Sequence, residues 1–235
     1  MPNRTVVIEN MNAPSSAPKE GKGRERILDA AEQLFAERGY DGCSLKDVAE
    51  KAAVNQGMIH YFFKKKDVLF KDVYLRRGVG IAAERLRLLD FEEKAANGEP
   101  LAVRRILELF LRPAFDVARS GPGGYAFVKI LSRLHLDAAL PITQIRAKLY
   151  DESTRRYFAA LQRSLPALTV EKLAWRFILI LGAYQYALGD TGRLEFVSAG
   201  RCSGKDFDAA FKHVIPFLVA GLQAEDDEPA PEREP

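Results

Sequence analysis

The amino-acid sequence predicts an all-α fold, with a three-helix unit over residues 23–70 followed by a larger helical bundle over 71–223. Three observations carry this reading. Apolar residues recur at intervals of three and four along most of the chain, the spacing that lines one face of a helix. No segment of useful length alternates apolar and polar residues as a half-buried strand would. Breakers cluster between the periodic segments, as at Asn97-Gly98-Glu99-Pro100 and Ser120-Gly121-Pro122-Gly123-Gly124, where the backbone has to turn.

The first unit is the most explicit. From Arg24 to Arg38 the residues Ile27, Ala30, Ala31, Leu34 and Phe35 form one apolar stripe, and Gly39 stands where a helix-ending left-handed residue belongs. Ser44 is an N-cap candidate for a short helix through Leu45, Val48 and Ala49, ending near Ala52. A tight turn at Ala52-Ala53-Val54 leads to Asn55, a second N-cap candidate. Behind it Ile59, Phe62 and Phe63 can face inward, leaving Gln56, Gly57, Met58, His60 and Tyr61 outward. Two short helices joined by such a turn form a helix-turn-helix, whose second helix enters the major groove of DNA. Lys64, Lys65 and Lys66 follow at once, where phosphates would lie; that placement favours phosphate contact over a solvated face.

The run RERILDAAEQLFAERGYDGCSLKDVAEKAAVNQGMIHYFFKKKDVLF resembles the N-terminal DNA-binding domain of the tetracycline-repressor (TetR) family. The likeness covers about residues 24–72 and rests on a long ordered set: A-A-x-x-L-F-A-E-x-G-Y, S/T-x-x-D/E-V/I-A, V-x-x-G and Y-F-F-K-x-K. One departure is Ala53, where the family more often has glycine; a positive φ there would cost alanine roughly 1–2 kcal/mol. The resemblance implies a homodimeric, ligand-responsive transcriptional regulator, most often a repressor, on an inverted-repeat operator. Residue by residue it puts Gln56, Gly57, Met58, His60 and Tyr61 toward the groove, with Asn55 opening that helix. It puts Ser44, Lys46 and Lys66 on the phosphate backbone, with Lys64 and Lys65 as additions.

Composition agrees. At 47% hydrophobic and 29% charged, 235 residues make a globular chain able to bury a substantial core. The net charge of +3 is a composite, because the last twelve residues hold six acids and one arginine, which leaves +8 on residues 1–223. A basic body suits a polyanionic partner. Residues 1–22 read as a disordered arm and 224–235 as an acidic disordered tail. Cys43 and Cys202 match no metal or redox spacing and read as unpaired thiols. No secretory segment opens the chain, and the most apolar run, Phe177 to Leu188, is too short to span a bilayer, so a cytoplasmic protein is expected.

Beyond the first unit, Asp67 to about Asp90 reads as a long connecting helix. Pro100 is placed as the first residue of the next, which runs toward Arg119 with a kink expected at Pro113. Tyr125–Leu136 and Pro141–Leu165 read as two further helices. Val170–Gly189 brings Leu173, Ala174, Phe177, Ile178, Leu181 and Gln185 to one face, with Gly182 and Ala183 allowing close approach. Asp206–Leu222 does the same with Phe207, Ala210, Phe211, Val214, Phe217 and Leu218. These two helices can cap their own core or join a four-helix bundle between subunits. The resemblance favours the second, with Phe177, Leu181, Phe207, Phe211, Val214 and Leu218 as interface.

The resemblance also implies an effector pocket among the central helices, for which Phe110, Phe127, Trp175 and Tyr184, with Phe115, Tyr150 and Phe158, supply aromatic surface. Arg133, and His135 beside it, could anchor the carboxylate of a hydrophobic or aromatic acid, or lie on the helix's polar side. No hydrolase, metalloprotease, Walker or dinucleotide motif is present, and His60, His135 and His213 lack metal spacing, so neither catalysis nor a cofactor is expected. The rival class is a DNA-free helical interaction module; the lysine cluster and the polar outward row speak against it.

Overall fold

The computed structural model describes residues 17–134 and 143–225, and among them every regular element is a helix. They are α1 (Ala17–Arg38), α2 (Leu45–Lys51), α3 (Gln56–Phe63), α4 (Lys66–Ala95), α5 (Val103–Arg119), α6 (Pro122–Leu134), α7 (Thr143–Ser164), α8 (Val170–Leu188), α9 (Arg193–Val197) and α10 (Phe207–Gln223). His135, the start expected at Pro141, most of the N-terminal arm and most of the acidic tail lie outside the described residues.

α1 buries the expected stripe, Ile27, Ala30, Ala31, Leu34 and Phe35. It begins at Ala17, inside the stretch expected to be an arm, with Pro18 in its first turn, where a missing backbone N–H costs nothing. Gly39 takes φ +76° and returns its N–H to the Phe35 carbonyl at 3.0 Å, closing the helix.

α4 is the frame. Thirty residues rise about 45 Å, running from the end of the helix-turn-helix into the centre of the bundle and across the expected boundary at residue 70. Three arginines bolt it to α1: Arg24 to Asp72 at 2.7 Å, Arg76 to Asp29 at 2.7 Å and Glu25 at 3.2 Å, and Arg77 to the fully buried Glu32 through Nε–Oε1 at 2.7 Å and Nη2–Oε2 at 3.1 Å. α4 ends later than expected, through Asn97 (φ +50°) and Gly98 (φ +94°).

α5 is the central helix of the larger part and touches α4, α6, α7, α8 and α10. Pro100 does not open it; α5 starts at Val103. The Leu101 carbonyl accepts from Ser164 Oγ at 2.6 Å, while the Leu101 side chain packs on the core, holding that strand of backbone out of the helix. α5 runs on through the buried Pro113.

The break expected at 120–124 shrinks to Ser120 and Gly121. Pro122 opens α6, and the two glycines behind it are packing positions. A Cβ on Gly123 would meet Arg77 at 2.4 Å and Glu32 at 2.7 Å, and one on Gly124 would meet the Val117 carbonyl oxygen at 1.9 Å. α6 can therefore lie flat on α1 and α5. The connection after α8 contains the one-turn α9, and α10 then packs back on α5 and α8.

A candidate nucleic-acid interface and a cavity behind it

α2 and α3 present the candidate interface. Ser44 caps α2 through a reciprocal box in which its Oγ accepts from Asp47 N at 3.1 Å and its own N–H donates to Asp47 Oδ2 at 2.8 Å. The bonds from Ser44 hold the Asp47 carboxyl below the ordinary carboxylate range. Asn55 caps α3, its Oδ1 accepting from Met58 N at 2.8 Å. The turn between them takes a left-handed residue at Ala53, φ +50°. Arg26 of α1 braces that turn, donating to the carbonyls of Ala52 at 2.6 Å and Ala53 at 2.9 Å.

Behind α3, Ile59 and Phe63 are fully buried and Phe62 is half-buried. Gln56, Gly57, His60 and Tyr61 stand exposed in an outward row, with Lys64 and Lys65 exposed at the helix end and Lys46 exposed on α2. Two expected groove residues are placed differently. Met58 is half-buried, its Sδ 3.0 Å from where a Cβ on Gly23 would lie, so it packs on α1. Lys66 is an internal staple: Nζ donates to the Tyr40 carbonyl at 3.1 Å and the Cys43 carbonyl at 3.2 Å and sits 4.1 Å over the Tyr40 ring. One ammonium proton remains for an outside partner. Tyr40 in turn donates to Asp67; burial first, then that carboxylate, pushes the phenol well above its usual range. The α1–α2 turn is thus pinned to the first turn of α4.

A cavity of about 1020 Å³ opens behind this unit, bounded by α4, α5, α6, α7 and α8. Of the expected ligand residues, Phe110, Tyr184 and Arg133 line it. Phe127 does not: it is buried against Tyr74, with ring centroids 5.8 Å apart. Trp175 does not either, being 68% exposed on the outer side of α8. Arg133 stands at the rim, its guanidinium 3.5 Å from the Phe35 carbonyl of α1. Tyr150, expected among the pocket aromatics, also lines the cavity, as do Arg85 and Gln185, which the sequence did not point to as ligand residues. Burial pushes the Tyr150 phenol up to about 12, so it is neutral at ordinary pH.

The expected interface residues also need correction. Phe177, Phe207, Val214 and Leu218 are buried in this chain's own core, and Phe211 packs edge-on against Phe115 at 5.3 Å. Leu181 is half-buried on the cavity wall. Most of the expected stripe faces inward because α5 occupies that side of both helices, but Ala174, Ile178 and Phe217, expected on the same faces, are exposed. The exposed apolar side chains are Trp175, Ile178, Leu179 and Tyr186 on α8, of which Ile178 and Tyr186 also border the cavity, with Phe217 on α10. Gly182 and Gly221 lie on this outer side with open space above them.

Two family profiles match the chain: "Bacterial regulatory proteins, tetR family" over residues 27–73 and "Tetracyclin repressor-like, C-terminal domain" over 108–221. The chain belongs to the tetracycline-repressor family. Among its TetR-family relatives, the HTH-type transcriptional regulator AcrR of Shigella flexneri is 34% identical over 83 residues, 35% of this chain and 36% of that protein. The fatty acid metabolism regulator protein of Bacillus subtilis (strain 168) is 33% identical over 78 residues, 33% and 39% of the two chains. The aligned region spans just over a third of these relatives' length. The fold matches further. HlyIIR, a hemolysin II transcriptional regulator, superposes with a TM-score of 0.57 at 19% identity over 85% of this chain and 98% of that one. A TetR-like regulator from Rhodococcus sp. RHA1 gives 0.55 at 20% identity over 91% and 100%. Among the described residues no helix is long and apolar enough to cross a membrane, and no cluster of three His, Cys, Asp or Glu could hold a metal.

Proposed function

We propose that this TetR-family chain is a dimeric, ligand-responsive repressor that reads an inverted-repeat operator by laying α3 in the major groove. The outward row of α3 carries the proposal. Gln56, Gly57, His60 and Tyr61 are exposed on a helix whose opposite side is locked in the core, so they can meet base edges without loss of packing. Gln56 can pair bidentately with adenine, Tyr61 can meet a thymine methyl or a phosphate, and Gly57 lets the backbone approach closely. Lys46, Lys64 and Lys65, with the third proton of Lys66, would hold phosphates; Ser44, whose N–H and O–H both donate to Asp47, would act by capping α2. Asn55 and Met58 would act by setting the angle of α3.

Two copies would meet through the outer faces of α8 and α10, where exposed apolar side chains flank Gly182 and Gly221. Two-fold symmetry then requires half-sites about 34–36 Å apart, or a multiple of that. An effector in the cavity, a hydrophobic or aromatic acid, could act along α4. That helix carries Ile81 and Arg85 at the cavity and Lys66 at the DNA unit, nineteen residues or about 28 Å from Arg85. The effector shifts DNA affinity only as far as it binds the two states differently. Selection from a random duplex pool, with sequencing of the bound fraction, tests the reading. An enriched inverted repeat is expected; a pool recovered unenriched contradicts it.

A further inference from the structure

The interior end of the cavity holds a cation without an anion. Arg85 is 3% exposed, yet among the described residues no carboxylate pairs with it. Its Nε donates to the Phe110 carbonyl at 2.8 Å, its Nη2 reaches the Tyr184 hydroxyl at 3.3 Å, and the guanidinium lies 3.9 Å over the Phe110 ring. These contacts position the group but leave its charge uncompensated, and a buried charge without a counter-ion is expensive. On α8, Gln185 is 5% exposed, and its Nε2 amide finds no hydrogen-bond acceptor among the described residues. Both residues line the same cavity. Buried donors, one of them charged, thus face one cavity whose buried lining is otherwise apolar or aromatic, while its remaining polar lining, Asp151 and Asp190 included, is exposed or half-buried.

We infer that Arg85 and Gln185 form a buried carboxylate-binding subsite, which takes an organic monoacid by its head and leaves its apolar body among Ile81, Phe110 and Leu131. The proposal rests on the ligand-responsive reading above and deepens it by naming the atoms that recognise the acid. The head must be an acceptor on both sides, because the guanidinium and the unpaired Gln185 Nε2 only donate. It must also be anionic, because only a charge offsets the guanidinium. Arg133, the anchor considered from sequence, is exposed at the rim, where water screens it and a carboxylate gains little. Arg85 acts in a low dielectric, where a charge-assisted bond is stronger.

The test is calorimetric titration of the full chain with 2-naphthoate and decanoate, each against its uncharged primary amide. At least one acid should bind, and its amide should bind at least about tenfold more weakly. Arg85→Met should reduce that acid-to-amide ratio to near one, whereas Arg133→Met should leave it intact. Arg85→Lys keeps the cation and serves if the methionine variant fails to fold; it should retain a preference for the acid. Gln185→Leu should weaken the acid while preserving the sign of the preference. Equal binding of acid and amide, a ratio that survives in Arg85→Met, or no binding of either acid at millimolar concentration overturns the subsite. The regulatory reading fails separately: an acid that binds through Arg85 but leaves duplex affinity unchanged would keep the subsite and remove its link to DNA.

Discussion

At the residue scale, two positions decide how the helix-turn-helix is held. Ala53 adopts φ +50°, a conformation alanine enters at a cost. Ala53→Gly should raise stability by about 0.5–1 kcal/mol, the left-handed penalty less the extra chain entropy of glycine; chemical denaturation would show the midpoint unmoved or lowered if the turn were not strained. Lys66 is the second. Because two of its protons go to the Tyr40 and Cys43 carbonyls, Lys66→Ala should lower the melting temperature as well as DNA affinity. The double change Lys64→Ala, Lys65→Ala should spare the melting temperature and reduce the salt slope of DNA binding by about two. A Lys66→Ala protein that melts like the parent would show that the staple does not form in solution. The lysine run was legible as a cluster, but its division of labour was not. Which lysine turns inward depends on the Tyr40 ring, twenty-six residues earlier in the chain.

At the scale of elements, the sequence shows which helices exist more readily than which way they face. The apolar periods of α8 and α10 are real, but each helix has apolar residues on two sides, and only the position of α5 decides which side is the chain's own core. Leu179→Glu with Phe217→Glu, both on the exposed side, should therefore yield a folded monomer by light scattering with unchanged helicity. Leu218→Glu should unfold the protein, because it buries an unpaired charge in the core. A double mutant that remains dimeric would move the interface elsewhere. Trp175, the chain's single tryptophan, gives an independent readout: its emission should shift to the red as the protein is diluted through the dimer's dissociation. The α4–α7 junction has its own signature. Burial alone would push the Glu93 carboxyl up, but the guanidiniums of Arg163 and Arg156 outweigh it and hold it below the usual carboxylate range. A depressed folded value means stability that is present above the unfolded pKa of about 4.3 and lost as pH falls through the folded one. Glu93→Gln should lose less stability than the parent between roughly pH 5 and pH 3; parallel melting curves would contradict the bridge.

For the whole molecule, the DNA unit was legible almost residue by residue because its contacts are local: caps, a short turn and an apolar stripe lie within forty residues of each other. The cavity was not. Arg85 sits in the run ERLRLL between Glu84 and Arg87 and looks like one more solvated charge; its burial arises from α5, α7 and α8 closing around it. Trp175 is the converse case, since its large aromatic surface suggests an interior position and the outer side of α8 leaves it exposed. Pocket and DNA face are joined by one continuous helix, with Arg133 of α6 also meeting the last turn of α1. The central claim is that α3 reads base edges, and one measurement meets it directly. Binding of the full chain and of Gln56→Ala is followed by fluorescence anisotropy on the selected operator and on a scrambled duplex, across a salt series. A base-reading α3 predicts a loss of roughly 1–3 kcal/mol on the operator, almost none on the scrambled duplex, and an unchanged salt slope. Equal losses on both duplexes would contradict it.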